Sequence, residues 1–291
     1  MSTSWQAGLL EWREAREASL VDPAGYLALS DLVWLSEGDN TFGSDPEGTL
    51  VFTGDEIPDR LGVLRLSGGR VGLRWDDSPQ GLQLNVTPFP ALVDEGDELG
   101  HVAGSFLLTS DAGEEVNRVT VGRRTFWVID RAGKIGVRVR DPESEVLGNF
   151  RGAEWFEPDA SWRVRARFIP HAEVRQVEVP NILGTSYDDL SPGVLQFERG
   201  GQTYQLQPTG VSQDEMMLIF GDSTNGRTTY GGGRFLKVPP PDRGGELWLD
   251  FNRAYNPPCA FSPFTTCPLP PEGNRLDVRV PAGERAPPSY E

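Results

Sequence analysis

Residues 250–274 read DFNRAYNPPCAFSPFTTCPLPPEGN, and this segment restricts the fold more than any other part of the sequence. Its prolines exclude a long helix and a regular central strand, because proline has no N–H to donate and fixes φ. A long irregular segment inside a compact domain must find other partners for its backbone, and such segments are usually functional. We therefore predict a site here, although the residues do not specify a reaction.

Glycine and proline interrupt the rest of the chain as well. The 291 residues include 34 Gly and 24 Pro, and 37% of the residues are hydrophobic, which is enough for a substantial core. This composition leaves little room for long helices and favours short strands joined by turns. We predict a mainly β protein, with an N-terminal helical cap followed by two fused sandwich-like or barrel-like units.

The predicted boundaries follow changes in this pattern. Residues 1–37 are predicted to be a helical segment, residues 38–145 a first, sandwich-like β unit, and residues 146–291 a second β unit that contains the proline-rich C-terminal motif. These are three consecutive parts of the chain.

Local patterns predict particular elements within these parts. Residues 4–20 have the apolar spacing of an amphipathic helix, and residues 27–35 are predicted to be a second, short helix. Residues 62–66 and 71–75 flank Ser67-Gly68-Gly69-Arg70, which is typical of a β-hairpin.

The charge excludes some partners. A formal net charge of −16 repels nucleic acid and anionic lipid, so we expect neither nucleic acid nor membrane as a partner.

No apolar run approaches the roughly 20 residues that span a bilayer. The N-terminus lacks the features of a secretory signal, so a cytoplasmic location with reduced thiols is predicted. The sequence specifies no cofactor and no oligomeric state.

The first candidate site residues lie in GDSTNGRTTYGGGRFL, residues 221–236. Three consecutive glycines allow close backbone approach, and Arg234 follows them with a guanidinium suited to a carboxylate or a phosphate. Asp222 and Tyr230 are predicted to bind ligand with it. The alternative is a hairpin in which Arg234 pairs with Asp222 or Asp250.

The C-terminal segment supplies the remaining ligand-binding candidates, which are Asn252, Arg253, Tyr255 and Asn256, beside Asp250. If residues 247–252 form a strand, Asp250 and Asn252 share one face and can form a pocket rim. The alternative is that Asp and Asn side chains cap the loop through local backbone hydrogen bonds.

His171, Asp250 and Cys259 are the catalytic candidates. Cys259 as a nucleophile needs a histidine to take its proton and a third group to orient that histidine, and His171 with Asp250 or Asn256 is the available combination. The alternative is that Cys259 and Cys267 are buried small apolar residues. A disulfide between them suits the loop length but not a reducing compartment. With His101 and His171 as the two histidines, no metal-type spacing occurs, and no metal site is predicted; a site completed by carboxylates is the alternative.

Four stretches together resemble a known family. They are LALSDLVWLSEGDNTFGSDP, TFWVIDRAGKIGVRVRD, GDSTNGRTTYGGGRFL and the C-terminal run from DFNRAYNPPC to VPAGE. They resemble the bacterial and archaeal DUF1684 family, from about residue 26 to Glu284. The resemblance implies that these segments belong together. It implies no reaction, because this family has no assigned function.

A second resemblance concerns DNTFGSDP, residues 39–46, followed by a short strand and a hairpin. It looks like the start of a forkhead-associated β-sandwich. In that family a Gly-Arg pair begins the phosphate contact, whereas Gly43 is followed by Ser44 here. The resemblance therefore implies the sandwich and not phosphopeptide binding.

From these residues we predict binding or turnover of a small polar or anionic ligand in a C-terminal pocket, with His171 as acid or base. One alternative is a non-catalytic binding or scaffold protein whose C-terminal motif is structural, and another is a thiol-dependent hydrolase. A ligand site should place its polar residues around a cavity. A structural motif should show them bonded to each other and to backbone.

Overall fold

A computed structural model of the protein describes residues 4–53, 57–75, 84–87, 91–92 and 106–288. His101 lies outside the described residues. The chain divides into two compact units. The middle unit is Pro23–Asn149, and the terminal unit combines Met1–Asp22 with Phe150–Glu291.

Of the two helices predicted near the N-terminus, the first is confirmed and the second is wrong. Helix α1 spans Ser4–Leu20, as its apolar spacing predicts. The predicted second helix is wrong, because Leu29–Trp34 form strand β1, which pairs antiparallel with residues 136–140. A short apolar run fits either structure, and here the neighbouring strand supplies hydrogen-bond partners that decide in favour of β.

The middle unit is formed by strands that alternate with turns. Its strands are β1 Leu29–Trp34, β2 Gly38–Gly43, β3 Leu50–Val51, β4 Gly62–Ser67, β5 Arg70–Trp75, β6 Leu84–Thr87, β7 Ala91–Leu92, β8 Phe106–Leu108, β9 Arg118–Val121, β10 Arg124–Arg131 and β11 Lys134–Arg140. Helix α2, Glu145–Asn149, follows them. One sheet has the order β1-β11-β10-β9-β6, and another has the order β3-β2-β4-β5-β8-β7.

These two sheets share one core, so the middle unit is a β-sandwich. Phe42 and Leu64 of one sheet lie in the same buried cluster as Phe126 and Val137 of the other, and the rings of Phe42 and Phe126 are 5.7 Å apart. The predicted hairpin is confirmed as β4 and β5. Its turn residues Gly68 and Gly69 have φ values of +56° and +79°, which glycine adopts without strain.

The terminal unit contains α1 and the remaining strands. These are β12 Arg163–Pro180, β13 Ser186–Arg199, β14 Gln202–Leu206, β15 Met216–Phe220, β16 Arg234–Val238 and β17 Glu246–Asp250. One sheet has the order β14-β13-β12-β17, and β15 pairs with β16. The protein is therefore mainly β with an N-terminal helix, as predicted.

Helix α1 is part of the terminal unit, where it contacts the 3₁₀ turn Phe251–Arg253. Among the described residues, no helix is long and apolar enough to cross a membrane.

Phe251 anchors the C-terminal segment to the core of the terminal unit. It follows β17 directly and is completely buried. Its ring centroid lies 5.8 Å from that of Trp162, 5.6 Å from that of Phe197 and 5.4 Å from that of Phe220. The irregular segment therefore begins inside the core.

Replacing this anchor should destabilise the terminal unit. Phe251→Ala is expected to lower its free energy of unfolding by about 3–5 kcal/mol, because a fully buried ring leaves a cavity that the core fills only in part. Leu190→Ala, at a side chain 56% exposed in the same unit, is the matched control and should change the free energy by less than about 0.5 kcal/mol. Denaturant unfolding measures both, and equal losses would contradict this anchoring role.

Candidate functional site

The guanidinium of Arg234 lies inside the terminal unit, where its exposure is 0%. Its Nη2 donates to Asp222 Oδ2 at 2.8 Å and to the Val280 carbonyl at 2.9 Å. Its Nη1 donates to the Ala282 carbonyl and, at 3.4 Å, to that of Glu284. Burial lowers the pKa of Arg234, and the adjacent Asp222 carboxylate opposes that shift. The geometry is that of the predicted alternative, in which Arg234 pairs with Asp222.

Asp222 connects this arginine to two other segments. Its Oδ1 accepts hydrogen bonds from the Thr224 N–H at 2.8 Å, from Thr224 Oγ1 at 2.6 Å and from the Val280 N–H at 3.1 Å. One carboxylate therefore orders the turn after β15 and also holds the C-terminal segment against it.

The structure explains why one position of the Gly-Gly-Gly run must be glycine. Gly233 has φ of +90°, and a Cβ there would lie 2.7 Å from the Phe220 carbonyl oxygen and from Pro270 Cγ. Any other residue would force these groups apart. The close backbone approach predicted for this run is thus to the protein's own Phe220 and Pro270.

Asp250 and Asn252 form a local cap. Strand β17 ends at Asp250, so Asn252 lies in the 3₁₀ turn and the two do not share a strand face. Asp250 Oδ1 accepts from the Asn252 N–H at 3.2 Å and from Asn252 Nδ2 at 2.9 Å, and Asp250 Oδ2 accepts from Trp5 Nε1 at 2.6 Å. Asn252 also exchanges two 2.9 Å hydrogen bonds with the backbone of Asp159.

Sequence reasoning missed Glu284 and Arg16. Glu284 is completely buried, its Oε1 accepts from Arg16 Nε at 2.9 Å, and its Oε2 accepts from the Asn256 N–H at 2.7 Å. The Arg16 guanidinium lies 4.8 Å from the Tyr255 ring centroid. Burial raises the pKa of Glu284, against the opposing charge of Arg16. Glu284 lies within the C-terminal motif, but no spacing in the sequence connects it to a residue of α1.

The other predicted ligand-binding residues also contact the protein itself. Asn256 Nδ2 donates to the Arg285 carbonyl at 2.7 Å, and Arg253 Nη2 donates to the Gly8 carbonyl at 3.1 Å. The Tyr255 ring packs edge-on against Phe235, with centroids 5.8 Å apart. Tyr230 Oη donates to the Cys259 carbonyl at 3.3 Å.

The three catalytic candidates are not joined by hydrogen bonds. Within the described part of the chain, none connects His171 to Cys259 or Asp250, and His171 Nε2 is buried without a hydrogen-bond partner. The backbone N–H of Cys259 instead donates to Cys267 Sγ at 3.1 Å. A hydrogen bond between the two thiols, together with burial, raises the pKa of Cys259 far above its ordinary value. In the same described residues, no group of three His, Cys, Asp or Glu side chains is placed to hold a metal ion.

Comparisons with known proteins agree with part of the sequence resemblance. The family model described as protein of unknown function (DUF1684) matches residues 148–285. This match is shorter than the resemblance read from the sequence, which began at about residue 26. The chain is also similar to an uncharacterized protein of Haloarcula marismortui with a solution NMR structure. The two are 32% identical over 49% of this chain and 80% of that chain, with a TM-score of 0.42. Comparison with curated proteins gives no match.

The raised pKa of Glu284 predicts a pH dependence of stability. The stability that Glu284 contributes is fully present below its pKa in the unfolded chain and is lost as the pH rises through the higher folded pKa. The unfolding free energy of the wild type minus that of Glu284→Gln should therefore fall as the pH rises from the usual carboxyl range, and then level off. Denaturant unfolding in a pH series measures this difference.

Arg16→Met is the companion variant for this measurement. It removes the cation that opposes the shift, so the fall with pH should become larger in its background. A difference that instead rises with pH would show that the ion pair with Arg16 outweighs burial.

Proposed function

This chain belongs to the DUF1684 family, which is described as proteins of unknown function, and we propose a function from its own geometry. On that geometry it is a non-catalytic binding or scaffold protein whose C-terminal motif is structural. The observation that carries this proposal is the complete burial of Arg234 against Asp222 and three backbone carbonyls. The residue best suited to hold an external anion is bonded inside the protein.

The donors of Arg234 support this proposal. A guanidinium has five N–H groups. Four of them point at the hydrogen-bond acceptors on Asp222, Val280, Ala282 and Glu284, which leaves only the Nε–H. An anion would have to displace the Asp222 carboxylate and the carbonyls of Val280, Ala282 and Glu284 from the guanidinium. Binding of an anion here would therefore be opposed by the loss of buried hydrogen bonds.

The candidates around Asp250 support the same conclusion. Asp250, Asn252 and Asn256 are each buried, and each bonds to a segment distant in sequence, namely α1, Asp159 or Arg285. Asp250 holds the Trp5 side chain, and Asn252 and Asn256 supply hydrogen bonds to the backbone of Asp159 and Arg285. Such a role explains a dense cluster of Asp and Asn without any external ligand.

A thiol-dependent hydrolase receives less support from the geometry. The nucleophile in such enzymes is the thiolate, which requires a lowered pKa and an adjacent base. The pKa of Cys259 is raised, and its hydrogen-bonded neighbours are Cys267 and Tyr230.

A stability experiment tests the structural role of the buried pair. Arg234→Met should lower the free energy of unfolding by about 3–5 kcal/mol, because it leaves the Asp222 carboxylate buried without its partner. Adding Asp222→Asn should recover part of that loss, since the uncompensated charge is then removed. Denaturant unfolding of the single and double variants measures both values. A double variant as unstable as the sum of its single changes would contradict the pairing.

An anion titration separates the structural role from a ligand site. The melting temperature of the wild type is followed in inorganic phosphate and in sodium chloride of equal ionic strength. A structural motif predicts the same response to both salts. A saturable rise specific to phosphate, and lost in Arg234→Lys, would overturn the proposal and favour an anion site.

A small polar ligand is a second candidate function, and one observation favours it. Thr228 Oγ1, Arg234 Nε and Asn256 Oδ1 are buried without hydrogen-bond partners. All three residues are otherwise bonded to residues 282–286. Buried polar atoms of this kind are usually satisfied by a water molecule or a ligand.

Acetamide, which offers both a donor and an acceptor, is a suitable probe of this second candidate. A saturable rise in the melting temperature of the wild type, absent in Asn256→Ala, would support a small polar ligand. Asn225→Ala, which alters another side-chain amide of the same unit, is the control and should retain the rise. The same small response in all three proteins would count against it.

A further inference from the structure

Cys259 and Cys267 lie side by side although eight residues separate them in sequence. Cys259 is in the 3₁₀ turn Pro258–Ala260, and its backbone N–H donates to Cys267 Sγ at 3.1 Å. Interaction with the Cys267 thiol also contributes to the raised pKa of the Cys259 thiol. Neither cysteine is part of a disulfide. The fold therefore places two reduced cysteines beside each other at the two ends of a short loop.

Contacts at both ends of the loop keep the thiols in place. The Cys259 carbonyl accepts from Tyr230 Oη at 3.3 Å, and the Cys267 carbonyl accepts from the Ile182 N–H at 3.1 Å. Within the loop, Thr265 Oγ1 donates to the Ser262 carbonyl at 3.1 Å. Proline at positions 257, 258, 263 and 268 further limits the backbone. The position of Cys259 beside Cys267 is thus fixed by the surrounding structure.

We propose that Cys259 and Cys267 form a reversible dithiol–disulfide site, which a small-molecule disulfide of the glutathione class oxidises. The site goes beyond the proposed structural role of the motif, since it would make the stability of this segment depend on the redox state of its surroundings.

The exposure of the two cysteines sets the order of the steps. Cys259 is half-buried, whereas Cys267 is 5% exposed. Cys259 therefore loses its proton and attacks one sulfur of oxidised glutathione, which forms a mixed disulfide and releases one glutathione thiolate that takes up a proton. Cys267 then loses its proton and attacks Cys259 Sγ, which forms the internal disulfide and releases the second glutathione. Two protein thiols are oxidised, and one glutathione disulfide is reduced to two thiols.

Equilibrium is the appropriate readout for this site. Attack requires the thiolate, and the raised pKa of Cys259 leaves little of it at neutral pH, so the exchange is slow. A rate measured over a short time would report access to the thiol, whereas the equilibrium position reports how well the fold holds the two sulfurs together.

The test compares the folded chain with the same chain unfolded in denaturant. Each is equilibrated in buffers of defined reduced-to-oxidised glutathione ratio, quenched with acid, and analysed by mass spectrometry for free thiols and for the peptide that links Cys259 to Cys267. In the folded chain, free thiols should fall from two to zero, with the linked peptide as the product. Its equilibrium constant for disulfide formation should exceed that of the unfolded chain by at least about tenfold, because the fold holds the two cysteines beside each other. An equal or smaller constant, or a stable glutathione adduct in place of the link, would overturn the proposal.

Two single variants test the assigned order of attack. Cys267→Ser should stop at a glutathione adduct on Cys259, and Cys259→Ser should stay unmodified because Cys267 is buried. An adduct on Cys267 in folded Cys259→Ser would refute that order. Circular dichroism checks that each variant is folded, and the wild-type comparison above needs neither of them.

Discussion

The buried pair of Asp222 and Arg234 joins the ends of β15 and β16 to residues 280–284, which lie in none of the named strands. Burying two charges is unfavourable unless good geometry and further hydrogen bonds compensate. Here the arginine also donates to the carbonyls of Val280, Ala282 and Glu284, and the aspartate also accepts from Thr224 and the Val280 N–H. The pair thereby supplies hydrogen bonds to a backbone that lacks a regular ladder.

The need to give buried polar groups hydrogen-bond partners also explains how helix α1 is attached to the terminal unit. Leu9 and Leu20 of this helix are buried, and the Trp12 ring packs against those of Trp155 and Tyr255. Polar groups provide further contacts, through Trp5 to Asp250 and Arg16 to Glu284. The polar residues of the C-terminal segment therefore hold both ends of the chain within one unit. A dense cluster of polar residues can thus reflect assembly of the fold as well as a ligand site.

The candidate site could be predicted from the sequence only in part. The Asp222–Arg234 pairing was one of two alternatives, because the residues lie 12 positions apart in a turn-rich segment. The local cap of Asp250 on Asn252 was likewise an open alternative. Glu284 could not be found, because its partner Arg16 lies 268 positions away and no local pattern reports such a contact. Polar residues that recur at no regular spacing in the sequence give no information about which distant residues they contact.

The sequence by itself determined the features that depend on nearby residues. The bounds of α1 follow from apolar spacing, the β4–β5 hairpin from its Gly-Gly turn, and the β class from the frequency of glycine and proline. The tertiary structure decided whether residues 29–34 became a strand, which partner neutralised Arg234, and that Cys259 faces Cys267. Local preference fixes the first group because neighbouring side chains set the backbone conformation directly. The second group depends on hydrogen-bond partners and burial that exist only after distant segments have packed together.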